Sequence, residues 1–182
     1  MTKKPAKKAA AKTTAPKTRV AFVGVGRMGA NMARRLNDLK YAVTAVYDVN
    51  TEAAESLAKE LGATACKKLA EVTAKADIIF TVVTNDAAMK KIFLGKGDNL
   101  LAGAKGRTFI NCATLSPGIQ QTVAEAAKKV GAVTIEACMA SSISHARNGQ
   151  LYLMIGSDRA VYDKHLKLLQ DLSLSLRHIG AV

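Results

Sequence analysis

The chain has 182 residues, 49% of them apolar, with four Phe, four Tyr and no Trp. That length suits one domain whose core is built from Val, Ile, Leu and Ala. No apolar run approaches a membrane span; the scattered Cys66, Cys112 and Cys138 form neither a disulfide framework nor a C-x-x-C pair; and the distant His145, His165 and His178 show no metal-ligand spacing, so neither a membrane nor a metal is expected.

The net charge of +13 is unevenly spread. Residues 1–19 hold seven Lys/Arg and no acid, which leaves 20 basic and 14 acidic residues, or +6, for the remainder. After Met1, residues 2–18 carry no bulky apolar side chain, so a disordered Lys/Ala/Pro-rich tail is expected over 1–18. The tail has no apolar h-region and is not a secretory signal. Lys in place of Arg, Pro5 and Pro16 also set it apart from a transit peptide. The sequence therefore reads as intracellular and reducing, the cytoplasm preferred and the mitochondrion left open. Two readings of residues 1–19 stand side by side: a solvated extension, or a weak, salt-dependent contact with nucleic acid or another polyanion.

Beyond the tail, strand and helix signals alternate. Residues 20–25 are an unbroken apolar run, as in a strand buried on both faces. Met28, Met32 and Leu36 then mark one face of a first helix, with Arg34, Arg35 and Asp38 turned outward. Residues 42–47 read as a second strand ending at Asp48. Thr51 is the expected N-cap of a helix reaching Leu61, with Gly62 as its stop. A weak strand (63–66) and a helical turn (69–74) follow. Residues 78–83 form a second buried strand, leading to a helix (86–94), a glycine-broken loop and a strand (108–112). Pro117 suits the first turn of a helix ending near Val130. Strands at 133–137, 151–155 and 174–179, with an amphipathic helix at 158–169, complete the pattern. Such alternation predicts an α/β, doubly wound, mostly parallel Rossmann-like sheet over 19–182 with helices on both faces.

Gly24-x-Gly26-x-x-Gly29 lies where the first strand meets the first helix. Gly24 permits the tight turn, Gly26 lets a pyrophosphate approach the backbone, and Gly29 lets helix and strand pack. The free N–H groups and positive end of the helix then face the anion. Asp48, nineteen residues past Gly29, is placed to accept hydrogen bonds from ribose hydroxyls. Other residues expected beyond the carboxyl ends of the strands are 83–85 and 112–114. A nicotinamide dinucleotide is the implied cofactor.

These pieces resemble the β-hydroxyacid dehydrogenase family, which includes 3-hydroxyisobutyrate dehydrogenases. The likeness rests on Gly24-Val-Gly26-Arg-Met28-Gly29, continuing to Leu36; on Tyr47-Asp48-Val49-Asn50; and on Thr114-Leu-Ser-Pro117. It extends to Glu136-Ala137 with Ala146-x-x-Gly149-x-Leu151, to Ile155-Gly156-Ser157-Asp158, and to His178-Ile179-Gly180. The resemblance implies cofactor contacts from Gly24, Gly26, Arg27, Met28, Gly29, Asp48, Val83, Thr84 and Thr114. Asp48 favours NAD, since a 2′-phosphate would meet its charge, and NADP stays open. The implied reaction is hydride transfer between the nicotinamide and a small 3-hydroxy acid or its semialdehyde.

On the substrate side the family's Ser-Gly-Gly is replaced by Ala140, Ser141 and Ser142. His145 stands where a third Gly is usual, and Ala113 replaces the Ser that precedes Thr114. Ser141 and Ser142 are candidate substitutes for the missing hydroxyls; His145 reads as an incidental loop residue and Cys138 as a buried filler. The family's catalytic lysine helix and all-helical second domain are expected to follow position 182, so this chain alone should bind cofactor better than it reduces anything. Two alternatives remain at this point: a non-catalytic binding or scaffold protein using the basic tail, and an imine reductase-like member.

Overall fold

The computed structural model describes residues 18–181. The expectations for the basic tail therefore fall outside the described residues, Thr18 and Arg19 excepted. In chain order the elements are β1 (Arg19–Val23), α1 (Arg27–Asp38), β2 (Ala42–Tyr47), α2 (Thr51–Leu61), β3 (Thr64–Ala65), α3 (Leu69–Lys75), β4 (Ile78–Thr81) and α4 (Asp86–Leu94). They continue as β5 (Thr108–Asn111), α5 (Pro117–Lys129), β6 (Val133–Met139), α6 (Ile143–Asn148), β7 (Leu151–Gly156), α7 (Arg159–Leu172) and β8 (Ser173–Gly180). One sheet holds all eight strands in the order β3-β2-β1-β4-β5-β6-β7-β8. Among the described residues only β6 and β7 pair antiparallel. Among the described residues no helix is long and apolar enough to cross a membrane.

The central strands are mostly apolar because helices cover both of their faces. All four residues of β4 and all four of β5 are buried. On one face Phe22 and Phe80 stack at 4.8 Å, packed with Met32 and Leu36 of α1, Leu57 of α2 and Leu169 of α7. On the other face Phe93 of α4 meets Phe109 of β5 edge-on at 5.0 Å, with Ile79, Met89 and Val123 around them. Each such aromatic contributes roughly 1.5–3 kcal/mol through burial.

At the amino-terminal edge Asp77 gathers three strands. It accepts from Arg19 Nε (3.1 Å) and from a terminal nitrogen of Arg107 (3.0 Å). The Arg19 hydrogen bond, more than any other influence, holds the Asp77 carboxyl below its ordinary value. Arg19 was counted with the basic tail, yet it opens β1 and is ion-paired. Nor do the polar residues of α1 simply face solvent: Arg34 bonds Glu60, Arg35 donates to the Asp171 carbonyl, and Asp38 pairs with Arg147.

Several boundaries differ from the sequence reading. The strands expected at 20–25, 78–83 and 108–112 stop at Val23, Thr81 and Asn111. Val25 and Cys112 are as buried as strand residues, so composition continues where the ladder has ended. The α2 cap is Asn50, not Thr51: its Oδ1 accepts the Ala53 N–H at 3.1 Å. Gly62 closes that helix with φ 68°, as expected. Helix α6 was not expected at all. Its six residues lie between β6 and β7, with Ser142 as the N-cap.

Candidate functional site

The strand order reverses between β1 and β4, and there the loops after β1, β2, β4 and β5 lie side by side at the carboxyl edge. The turn after β1 is built from its glycines. Gly24 has φ +90°, and a Cβ on it would collide with the Val82 carbonyl. A Cβ on Gly29 would strike the Gly24 carbonyl. Both are demanded by the fold. Gly26 differs: its φ is −62°, and a Cβ there would meet no atom within 4 Å. Among the described residues neither conformation nor packing calls for a glycine, and the bare backbone there is open to close approach from outside.

Gly26 is also the N-cap of α1, and no side chain caps that end. The first intrahelical bond is Ala30 N–H to the Gly26 carbonyl at 3.0 Å. The N–H groups of Arg27, Met28 and Gly29 therefore have no intrahelical partner and lie at the positive end of the helix dipole. An uncapped helix end beside an unneeded glycine fits a phosphate-bearing ligand.

Asp48 follows β2 directly. Its Oδ2 accepts the Val25 N–H at 2.7 Å and its Oδ1 the Asn50 N–H at 2.9 Å. Each carboxylate oxygen keeps a further lone pair for a hydroxyl. Beside it lies a hollow of about 510 Å³, lined in part by Asp48, Val49, Thr51, Ala54, Ala65 and Lys67.

From β4 come Val83, half-buried, and Thr84, exposed; from β5 comes Thr114, exposed. A clasp that the sequence did not announce joins the two loops. Asp86, in the first turn of α4, accepts from the Ser116 hydroxyl (2.5 Å) and the Ser116 N–H (3.1 Å). Those bonds hold the Asp86 carboxyl below its ordinary value, so the clasp is intact at neutral pH and is lost only as acid protonates that carboxylate. Beneath the loops, the buried Thr81 hydroxyl donates to Asn111 Oδ1 (2.8 Å) and Asn111 Nδ2 to Gln120 Oε1 (3.2 Å). The nearest sequence signal for this chain was a pair of polar residues inside otherwise apolar runs.

The substrate-side candidates lie on the connection from β6 to α6. Ala140 and Ser142 are exposed and Ser141 half-buried. Ser141 Oγ donates to the Ala140 carbonyl (2.6 Å) and accepts the Tyr152 N–H (2.8 Å). Ser142 caps α6 by accepting the His145 N–H, while His145 Nδ1 accepts the Ser142 N–H, both at 3.4 Å. His145 therefore has a partner, in a reciprocal capping box. Cys138 is only half-buried, and its Sγ–H donates to Glu136 Oε1 at 3.3 Å. Burial first, and this carboxylate second, push its thiol up to about 11.

A glycine turn opening an uncapped helix at the sheet's switch point, with a carboxylate closing β2, defines a nucleotide-binding Rossmann domain. The chain belongs to the family described as the NAD binding domain of 6-phosphogluconate dehydrogenase, whose model matches residues 19–180. The mitochondrial 3-hydroxyisobutyrate dehydrogenase of Mus musculus is 30% identical over 171 residues, covering 94% of this chain and 50% of that protein. The 2-(hydroxymethyl)glutarate dehydrogenase of Eubacterium barkeri is 30% identical over 162 residues, covering 89% and 53%. Among solved structures, Mycobacterium tuberculosis 3-hydroxyisobutyrate dehydrogenase with L-serine superposes with TM-score 0.83 at 25% identity, covering 91% of this chain and 55% of that one. An imine reductase from Pseudomonas sp. shares the fold, with TM-score 0.81 at 20% identity over 91% and 56%. The chain spans about half the length of the curated relatives it matches. These likenesses support the cofactor-binding reading and give none to a scaffold role.

Proposed function

We propose that this domain is the cofactor half of an NAD-dependent oxidoreductase of the 3-hydroxyisobutyrate dehydrogenase type. Gly24, Gly26 and Gly29, with the Arg27 and Met28 amides, would hold the pyrophosphate, Asp48 the adenosine ribose, and Val83, Thr84 and Thr114 the nicotinamide end. When bound, the nicotinamide supplies a two-electron hydride acceptor or donor. The substrate would be a small 3-hydroxy acid or its semialdehyde, approached by Ala140, Ser141 and Ser142. Asp48 favours NAD over NADP by charge alone. With Cys66, Cys112 and Cys138 all free thiols, the setting we assign is a reducing intracellular one, the cytoplasm first. Recovery of any of the three as a disulfide from freshly lysed cells would count against that setting.

The observation that carries the proposal is Gly26, a glycine the folded chain itself does not require at the bare end of α1. Fluorescence titration of the protein with NADH tests it. Saturable enhancement or quenching is expected, with NADH bound more tightly than NADPH. Absence of a signal with either nucleotide overturns the cofactor site, and tighter NADPH binding overturns the preference.

A further inference from the structure

We infer that Asp48 is also the anchor of the glycine turn, so that its charge and its hydrogen-bonding capacity govern cofactor choice separately. The inference rests on the proposed cofactor site and concerns what Asp48 does before any ligand arrives.

Two successive amides of the turn are tied to two successive residues at the carboxyl end of β2. The Gly24 N–H donates to the Tyr47 carbonyl at 2.9 Å, and the Val25 N–H donates to Asp48 Oδ2 at 2.7 Å. Gly24 sits at φ +90° and Gly26 caps α1, so Val25 is the residue through which the strand is converted into the helix. Only 4% of Val25 is exposed, so without Asp48 its N–H has little access to water. A buried donor of this kind is costly to leave unsatisfied, and a charged acceptor makes the stronger bond.

The two carboxylate oxygens are not equivalent. Oδ1 serves the N–H of Asn50, an exposed residue that water can satisfy. Oδ2 serves the buried Val25 amide. Asparagine at this position can keep its one carbonyl oxygen on Val25 and turn its NH₂ to the wet side. Alanine leaves Val25 with nothing. Replacing Asp48 to admit a 2′-phosphate therefore has two components: removal of a repelling charge, which helps NADPH, and removal of the acceptor, which loosens the turn that would receive the phosphates of either nucleotide.

Asp48→Asn and Asp48→Ala separate the two. The wild-type chain and both variants are titrated with NADH and with NADPH, and amide hydrogen exchange at Val25 is followed without nucleotide. Asp48→Asn is expected to bind NADPH about tenfold more tightly than Asp48→Ala does and to keep its Val25 amide protected. Asp48→Ala is expected to lose about tenfold in NADH affinity, to gain nothing with NADPH, and to exchange Val25 about tenfold faster than the wild type. If Asp48→Ala binds NADPH as tightly as Asp48→Asn, or protects Val25 as well as the wild type, the anchoring role is overturned. If the wild type binds neither nucleotide, the cofactor site itself is wrong, and Val25 exchange alone then decides the anchor.

Discussion

At the β1–β5 side of the sheet, Gly26 leaves room that none of the described residues fills, and none of their side chains caps the first amides of α1. At the β6–β7 side the polar groups are taken up within the chain. Ser141 is bonded to Ala140 and Tyr152, Ser142 and His145 cap each other, and the Cys138 thiol is bonded to Glu136. The first side is organised around an external partner; the second, as it stands in this chain, is organised around its own loop. This contrast matches the sequence reading, in which the glycine turn keeps the pattern of the family it resembles and residues 140–145 depart from it.

The sharpest way to break that contrast is to add one methyl group at two neighbouring glycines. Gly24→Ala puts a side chain at φ +90° and against the Val82 carbonyl; a loss of about 3 kcal/mol or more in unfolding free energy is expected, together with all nucleotide binding. Gly26→Ala should leave stability within about 0.5 kcal/mol while weakening NADH by about tenfold or more. Thermal or denaturant unfolding beside NADH titration reads both. Equal stability losses at the two positions would mean that Gly26 also serves the fold. A smaller effect is expected from the clasp. Ser116→Ala removes the hydroxyl bond to Asp86 and keeps the backbone one, which loosens the loops that carry Thr84 and Thr114, and NADH affinity should fall about two- to fivefold with the fold intact. Unchanged affinity would make the clasp ornamental to binding.

On the other side of the sheet, His145→Ala should remove about half of the α6 capping box. The expected cost is about 0.5–1 kcal/mol of stability, with NADH affinity unchanged. Unchanged stability in denaturant unfolding would show that the capping box contributes nothing to the fold.

The glycine turn, Asp48 and the strand–helix alternation were legible because each is local: residues a few positions apart fix a turn, a cap or a buried run. What the sequence hid was tertiary. The bond between Val25 and Asp48 spans 23 positions and that between Ser116 and Asp86 spans 30; neither leaves a periodic trace. Asn50 outcompeted Thr51 as a cap because its own Oδ1 reaches the Ala53 N–H, which leaves Thr51 as the first residue of the helix. Helix α6 escaped because its six residues hold one buried apolar side chain, Ala146, too few to establish a helical period. Its signal was the Ser142–His145 spacing, which resembles a capping box with His in the place usually held by Glu or Gln.

Cys138 gives the mildest test of the same contrast, because its environment can be read by chemistry without unfolding anything. A thiol must ionise to be alkylated. Burial and the neighbouring Glu136 carboxylate both favour the protonated form and push the Cys138 thiol up to about 11. Iodoacetamide labelling followed by mass spectrometry should therefore be slow at pH 8 and accelerate steadily as the pH approaches that value. Cys112 is 1% exposed and should stay unlabelled throughout, since burial raises its thiol further still. Glu136→Gln removes one of the two causes and leaves the other, so Cys138 labelling should quicken at pH 8 without reaching the rate of a free thiol. Rapid labelling of the wild type at neutral pH would show a thiolate at this position, and the end of β6 would then hold a reactive group in place of one bonded inward.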